Sequence, residues 1–195
     1  MLSAICWQST PLVYCPLLKK EGVGGGCNGG TGGEFCNILD MSKGVQLQKH
    51  NGRGLTIGIV RTRWNDHIVR PLFDQAMHGL LDCGVSKKNI RTMDVPGSYE
   101  LVFGAKMLIE KHRVDAVVCI GAVLKGGTTH AEYISEAITH GIMRLSLDTG
   151  VPIIFGVLTS LTEEQARERS VGSGSHGYDW GLSAVEMGLL KKEKK

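Results

Sequence analysis

From residue 54 onward the chain alternates two hydrophobic periodicities, and that alternation restricts the fold more than any other feature. Leu55–Arg61 is a short apolar run rich in β-branched residues. Asp66–Cys83 then carries Ile68, Leu72, Met77, Leu80 and Leu81 at helical spacing, and Gly84 stops it. Ile90–Val95 reads as a second strand. Tyr99–His112 reads as a second helix, with Leu101, Val102, Ala105, Leu108 and Ile109 on one face. Val114–Ile120 is nearly all apolar, as a parallel strand covered on both sides should be. Thr129–Leu147 is a third helix and Val151–Leu158 a fourth strand. Helices over Thr162–Arg169 and Asp179–Lys192 end the chain.

Strands that alternate with helices build a parallel sheet with right-handed crossovers and helices on both faces. The expected class is therefore α/β: a flavodoxin-like three-layer αβα sandwich around a four-stranded parallel sheet of order 2-1-3-4. Such a sheet takes its ligand outside the carboxyl ends of its strands. The informative residues should follow positions 61, 95, 120 and 158.

Residues 1–50 differ from the rest. Glycine dominates between Gly22 and Gly33, with Cys27, Asn28 and Thr31 interspersed. A stretch of that kind has little to bury and costs much to order. Residues 1–50 thus read as a flexible extension and 51–195 as the folded domain. Cys6, Cys15, Cys27 and Cys36 follow no zinc or CxxC spacing. Leu2–Leu18 lacks an early positive charge and is interrupted by Pro11 and Pro16, and no arginine precedes Arg53. Both facts argue against a secretory or mitochondrial leader. Met41 reads as the natural start, or residues 1–40 as a dispensable extension whose deletion leaves activity intact. Cys83 and Cys119 sit in apolar surroundings, as ordinary buried thiols do, so a cytoplasmic location is expected. The net charge, 22 − 19 = +3, is too small to point to nucleic acid or a membrane surface. No apolar run approaches the roughly 20 residues of a membrane span.

Each expected strand end carries a group with chemical use. After the first comes Arg63-Trp64-Asn65-Asp66. Asn65 or Asp66 is a natural helix N-cap. Trp64 either packs over the end of the sheet or offers a stacking platform to a planar heterocycle. After the second comes Pro96-Gly97-Ser98-Tyr99-Glu100. Ser98 is placed to cap the next helix. Glu100 either complements the helix dipole or accepts hydrogen bonds from a ligand. After the third comes Gly121-Ala-Val-Leu-Lys125-Gly-Gly-Thr-Thr-His130, a glycine-containing loop running into a helix amino end. That arrangement suits an anion such as phosphate, although neither the Walker nor the dinucleotide glycine spacing is present. His130 lies beside it, either structural or placed for proton transfer. After the fourth comes a capping box, Thr162-Glu-Glu-Gln165. Its helix ends at Arg169, which either pairs on the surface or reaches a phosphate. These residues alone indicate a planar, phosphate-containing ligand and acid–base chemistry.

Taken in order, the segments Arg63-Trp64-Asn65, Pro96-Gly-Ser-Tyr-Glu100, Lys125-Gly-Gly-Thr-Thr-His130, Glu163-Glu-Gln-Ala166 and Ala184-Val-Glu-Met187 resemble the lumazine synthase family. The resemblance spans about Leu55 to Leu190. Trp64, His176-Gly177 and Asp179-Trp180 look most like fungal members. The resemblance implies condensation of 5-amino-6-(D-ribitylamino)uracil with 3,4-dihydroxy-2-butanone 4-phosphate to 6,7-dimethyl-8-ribityllumazine, the penultimate step of riboflavin biosynthesis, without cofactor or metal. It implies that Trp64 stacks on the pyrimidine and that Asn65, Ser98, Tyr99 and Glu100 line its edge and the ribityl chain. Val123 and Leu124 add backbone contacts. Gly127 and Thr128 hold the phosphate with Arg169, and His130 transfers protons. Phe155 closes the ring site from a neighbouring subunit, and His176 lies near it. The family also implies a homopentamer with sites between subunits, sometimes built into a capsid, and riboflavin as a candidate ligand.

Three departures from the family pattern stand out. Ala131 replaces the usual aromatic after the histidine, Val102 replaces a common proline, and the run after Arg169 is a few residues short. The competing reading is a non-catalytic pentamer that binds riboflavin or lumazine. His130, Thr128 and Arg169, the catalytic half of the pattern, are all present and favour the enzyme. A flavodoxin-like redox module ranks last, because the glycine loop follows strand three rather than strand one.

Overall fold

The computed structural model of the protein describes residues 47–172 and 175–193. The expectations of a flexible extension, of Met41 as the start and for the first four cysteines lie outside the described residues. Leu47–His50 already belong to the packed unit: Leu47 lies against the core and Lys49 Nζ is 2.9 Å from Asp82 Oδ2.

Four parallel strands form one sheet in the order β2-β1-β3-β4: β1 Ile57–Thr62, β2 Ile90–Val95, β3 Ala116–Leu124 and β4 Ile153–Ser160. Among the described residues, five α-helices complete the sandwich: α1 Asp66–Asp82, α2 Leu101–His112, α3 His130–Thr149, α4 Glu163–Glu168 and α5 Gly177–Glu193. The α/β class and the strand order are as the sequence predicts. Alternation along β1 sends Ile57 and Ile59 into the core shared with α1 and α5, and Val60 into the core shared with α2 and α3. Cys83 and Cys119 are buried thiols, and burial pushes Cys119 up to about 12. α2 lies close against β1 because residue 104 is glycine: a Cβ there would lie 2.7 Å from Val60 Cγ1.

Most boundaries shift by one or two residues from expectation, and two of the shifts bear on the site. β3 continues four residues beyond Ile120, because β4 also runs on and keeps pairing with it as far as Leu124↔Ser160. The Gly121–Leu124 part of the expected loop is therefore strand. α2 starts at Leu101 rather than Tyr99, because Ser98–Glu100 wind as a tighter 3-10 turn.

Candidate active site

β1 and β3 are neighbours at the centre of the sheet and β2 flanks β1, so the chain leaves all three strands side by side. After β1, Arg63 N donates to Val95 O at 2.9 Å and Trp64 N to Pro96 O at 3.1 Å. Thr62, 1 % exposed, donates its Oγ1 to Trp64 O at 3.0 Å. The Trp64 backbone is thus held through both its N–H and its carbonyl, while its side chain stands 73 % exposed. That exposure decides against packing over the sheet end and presents the indole to solvent. Asn65 is the N-cap of α1, at φ 60 and ψ 38, but its side chain makes no capping bond. Its Nδ2 donates instead to Ala122 O on β3 at 3.1 Å.

The turn after β2 closes on itself. Glu100 Oε2 accepts from Gly97 N at 2.9 Å, and Glu100 is the N-cap of α2 rather than part of its first turn. Ser98 does not cap α2. It is buried, and its Oγ lies 3.5 Å from the same Ala122 carbonyl. Tyr99 is exposed beside it.

Val123 and Leu124, half-buried, pair with Thr159 and Ser160, and Lys125 N donates to Ser160 O at 2.9 Å. Gly126–Thr129 are exposed and lead into α3, whose first residue is His130. Among the described residues none accepts from the amides of Gly126, Gly127 or Thr128. Free amides at the amino end of a 20-residue helix are a favourable place for an anion. Lys125 Nζ fastens the loop: it donates to Thr128 O at 3.2 Å and pairs with Glu132, holding that carboxyl below its usual range. His130 N donates to Thr128 Oγ1 at 3.4 Å, and the residue is exposed. A cavity of about 220 Å³ adjoins the loop, lined by Val123, Lys125, Ala131, Glu132, Thr159 and Ser160 among others. The alanine after His130 is part of its wall.

The expected capping box forms in part at α4: the N-cap is Thr162, while Gln165 reaches the residue before it. Thr162 Oγ1 accepts from Gln165 N at 3.3 Å, and Gln165 Oε1 accepts from Leu161 N at 3.0 Å. Arg169 follows α4 and donates its Nη1 to Gln165 O at 3.2 Å. It makes no hydrogen bond to Gly127 or Thr128 among the described residues. His176 N donates to Arg169 O at 3.3 Å, and the His176 ring stacks on Trp180 with centroids 6.4 Å apart. Phe155 pairs with Cys119, five positions before Ser160, and is 38 % exposed. At about 3.3 Å per residue it lies roughly 16 Å short of the strand end.

The sequence-predicted residues therefore fall into three sets. Trp64, Asn65, Ser98, Tyr99, Glu100, Val123, Leu124, Gly127, Thr128 and His130 share one end of the sheet. Arg169 and His176 stand together after α4. Phe155 lies apart within its own chain. Sequence reasoning missed the carbonyls of Pro96 and Ala122, which carry no sequence signal because every residue has one. It also missed Thr62, although a hydroxyl ending an apolar strand was a visible cue.

Residues 54–192 match the family model for 6,7-dimethyl-8-ribityllumazine synthase. The chain is 39 % identical over 191 residues to a protein of that name from Pyricularia oryzae, covering 78 % of this chain and 96 % of the relative. It is 47 % identical over 150 residues to one from Schizosaccharomyces pombe, covering 75 % and 94 %. A relative of the same name from Flavobacterium psychrophilum is 41 % identical over 144 residues, covering 73 % and 76 %. The matched span contains every candidate residue from Trp64 to His176, and the chain belongs to the 6,7-dimethyl-8-ribityllumazine synthase family.

Proposed function

We propose that the carboxyl end of the sheet is where this chain makes 6,7-dimethyl-8-ribityllumazine, the penultimate step of riboflavin biosynthesis. The observation that carries the reading is the family match across residues 54–192. The 5-amino group of 5-amino-6-(D-ribitylamino)uracil attacks the ketone of 3,4-dihydroxy-2-butanone 4-phosphate, and water leaves as a Schiff base forms. Inorganic phosphate is then eliminated. The enol that this leaves at the former C3 hydroxyl tautomerises to a new carbonyl, on which the ribitylamino nitrogen closes the second ring as a second water leaves.

In this reading Trp64 stacks on the pyrimidine, with Asn65 beside it. Ser98, Tyr99 and Glu100, together with the backbone of Val123 and Leu124, line the ring edge and the ribityl chain. Gly127 and Thr128 offer amides to the phosphate, and Arg169 exchanges the Gln165 carbonyl for it, a stronger acceptor. Stabilising the leaving phosphate lowers the elimination barrier. His130, exposed at the amino end of α3, moves protons for Schiff-base formation and ring closure. Holding both substrates in one mouth supplies much of the remaining gain. The non-catalytic alternative is not favoured, since the sequence retains Thr128, His130 and Arg169.

The reading extends to a homopentamer with sites between subunits. Within one chain Phe155 stands too far from Trp64 to close the ring site, whereas a neighbour's Phe155 can be brought to it. Phe103, Tyr133, Met143 and Leu147, on α2 and α3, are 61–73 % exposed, more apolar surface than a solitary domain usually leaves uncovered. His176 lies near the site, and riboflavin, with its fused ring and ribityl chain, is a ligand. The location is cytoplasmic; no helix among the described residues is long and apolar enough to cross a membrane. The catalytic domain is 51–195 with Leu47–His50 packed onto it, and residues 1–40 are dispensable.

The test is an assay of purified protein with both substrates, following lumazine absorbance and fluorescence. Product should form above the uncatalysed rate. Arg169→Ala should lower kcat/KM about 10- to 100-fold through the phosphate substrate, the loss of a charge-assisted hydrogen bond. No product, with riboflavin still bound, would return the non-catalytic reading.

A further inference from the structure

We propose that Asn65 is a positioning residue that aims Trp64 by fastening the end of β1 to the carbonyl of Ala122. The inference rests on the reading of Trp64 as the stacking platform. An N-cap asparagine ordinarily turns its side-chain oxygen onto the amides of its own helix. Asn65 does not. Its backbone carbonyl accepts from Ile68 N at 2.9 Å and Val69 N at 3.0 Å, so it starts α1 without its side chain. The carboxamide is spent elsewhere, on Ala122 O.

That acceptor has a structural reason to be available. The β1–β3 ladder ends at Arg61↔Ile120, so β1 no longer pairs with β3 at Ala122. Ala122 is 5 % exposed, which makes an unpaired carbonyl there costly. Asn65 Nδ2 replaces the missing rung, and Ser98 Oγ approaches the same oxygen from the β2 turn. One buried carbonyl thereby gathers the exits of β1, β2 and β3.

The consequence falls on Trp64. A side chain that is 73 % exposed takes its direction from its backbone. The Trp64 backbone is fixed by Pro96 O on one side and Thr62 Oγ1 on the other, and the following peptide is turned by Asn65 at φ 60. Asparagine is one of the few side chains that occupies that region readily. The Asn65–Ala122 bond is the only side-chain hydrogen bond among the described residues that ties this turn to β3, the strand leading to the phosphate loop. Its loss should let the indole wander relative to that loop while leaving the loop intact.

The experiment compares Asn65→Gly, Asn65→Asp, Trp64→Ala and the double variant Trp64→Ala/Asn65→Gly in the full chain. Asn65→Gly keeps the left-handed turn and deletes the donor. Asn65→Asp keeps the shape and sets an acceptor against a carbonyl. Riboflavin Kd is read by flavin fluorescence, and KM is measured for each substrate. The expected result is a 3- to 10-fold rise in riboflavin Kd and in KM for the pyrimidine in both Asn65 variants, the scale of one hydrogen bond. KM for the ketone phosphate should stay within about 2-fold, and in the Trp64→Ala background Asn65→Gly should add less than about 2-fold. Losses that multiply in the double variant, although Trp64→Ala alone is damaging, would overturn the positioning role and leave the platform standing. An undamaged Trp64→Ala would overturn the platform and this inference with it. Should Asn65→Asp fail to fold, the Asn65→Gly coupling decides.

Discussion

At the scale of single residues, the chain separates positions that hold the fold from positions that face solvent for chemistry. Gly177 is of the first kind. It opens α5 against α1, and a Cβ there would lie 2.3 Å from the carbonyl oxygen of Leu72. No rotamer relieves that overlap, because both partners are backbone. Gly177→Ala should therefore cost about 1–3 kcal/mol in urea unfolding as α5 is pushed away. Unchanged stability would mean that the amino end of α5 is not seated on α1. His130 is of the second kind in the proposed mechanism. It is exposed at the start of α3, and among the described residues its one hydrogen bond outside the helix is donated by its backbone. His130→Ala should shift stability by less than about 0.5 kcal/mol. It should slow condensation by roughly 10²-fold or less, since proton transfer is one contribution among several. A variant with the full rate would remove His130 from the mechanism.

At the scale of elements, the β1–β2 pair carries a charge link with a pH signature. Arg61 and Asp94 face each other in register, with Nε to Oδ1 at 2.8 Å and Nη2 to Oδ2 at 3.2 Å. The guanidinium also sits 4.5 Å from the centroid of the Phe73 ring. Its hydrogen bonds hold the Asp94 carboxyl below the usual carboxylate range. A depressed folded pKa gives stability that is present above the ordinary value and lost as pH falls through the folded one. The pair is partly solvated, so Asp94→Asn should cost at most about 1 kcal/mol at pH 7, and less at an acid pH below the folded carboxyl's range. A cost equal at both pH values would assign the effect to shape rather than charge. The elements themselves were legible because β1, β3 and β4 are rich in apolar or β-branched residues and α1, α2 and α3 each keep an apolar stripe. The end of β3 was not legible. Gly121-Ala-Val-Leu124 reads as a glycine loop, and only its pairing with β4, a contact more than thirty residues away in sequence, makes it strand. The site was legible as a set of residue types at strand ends, and Trp64 and His130 stand exposed there. The roles of Asn65 and Ser98 were not, because both turn onto a main-chain oxygen on another strand.

At the scale of the whole molecule, the proposed site draws on two copies of the chain. Trp64 stands at the carboxyl end of the sheet, and Phe155 lies on the edge strand five positions before the end of β4. If two copies complete the site, the parts can come from different polypeptides. Trp64→Ala and Phe155→Ala should each lower activity when assembled alone. Every Trp64→Ala assembly lacks the platform, and every Phe155→Ala assembly lacks the ring closure. Mixed one to one and reassembled, a Phe155→Ala subunit supplies its Trp64 while a Trp64→Ala neighbour supplies its Phe155. With random mixing around a closed ring, about a quarter of the interfaces carry both native residues. Activity should therefore recover to about a quarter of the native rate per chain, added to the residual activity of the damaged sites. The same assemblies should sediment at five times the protomer mass. If the site were complete within each chain, no mixture would contain a native site, and activity would stay at the average of the two parents. Recovery with a mass other than five protomers would keep the shared site and change only the ring size.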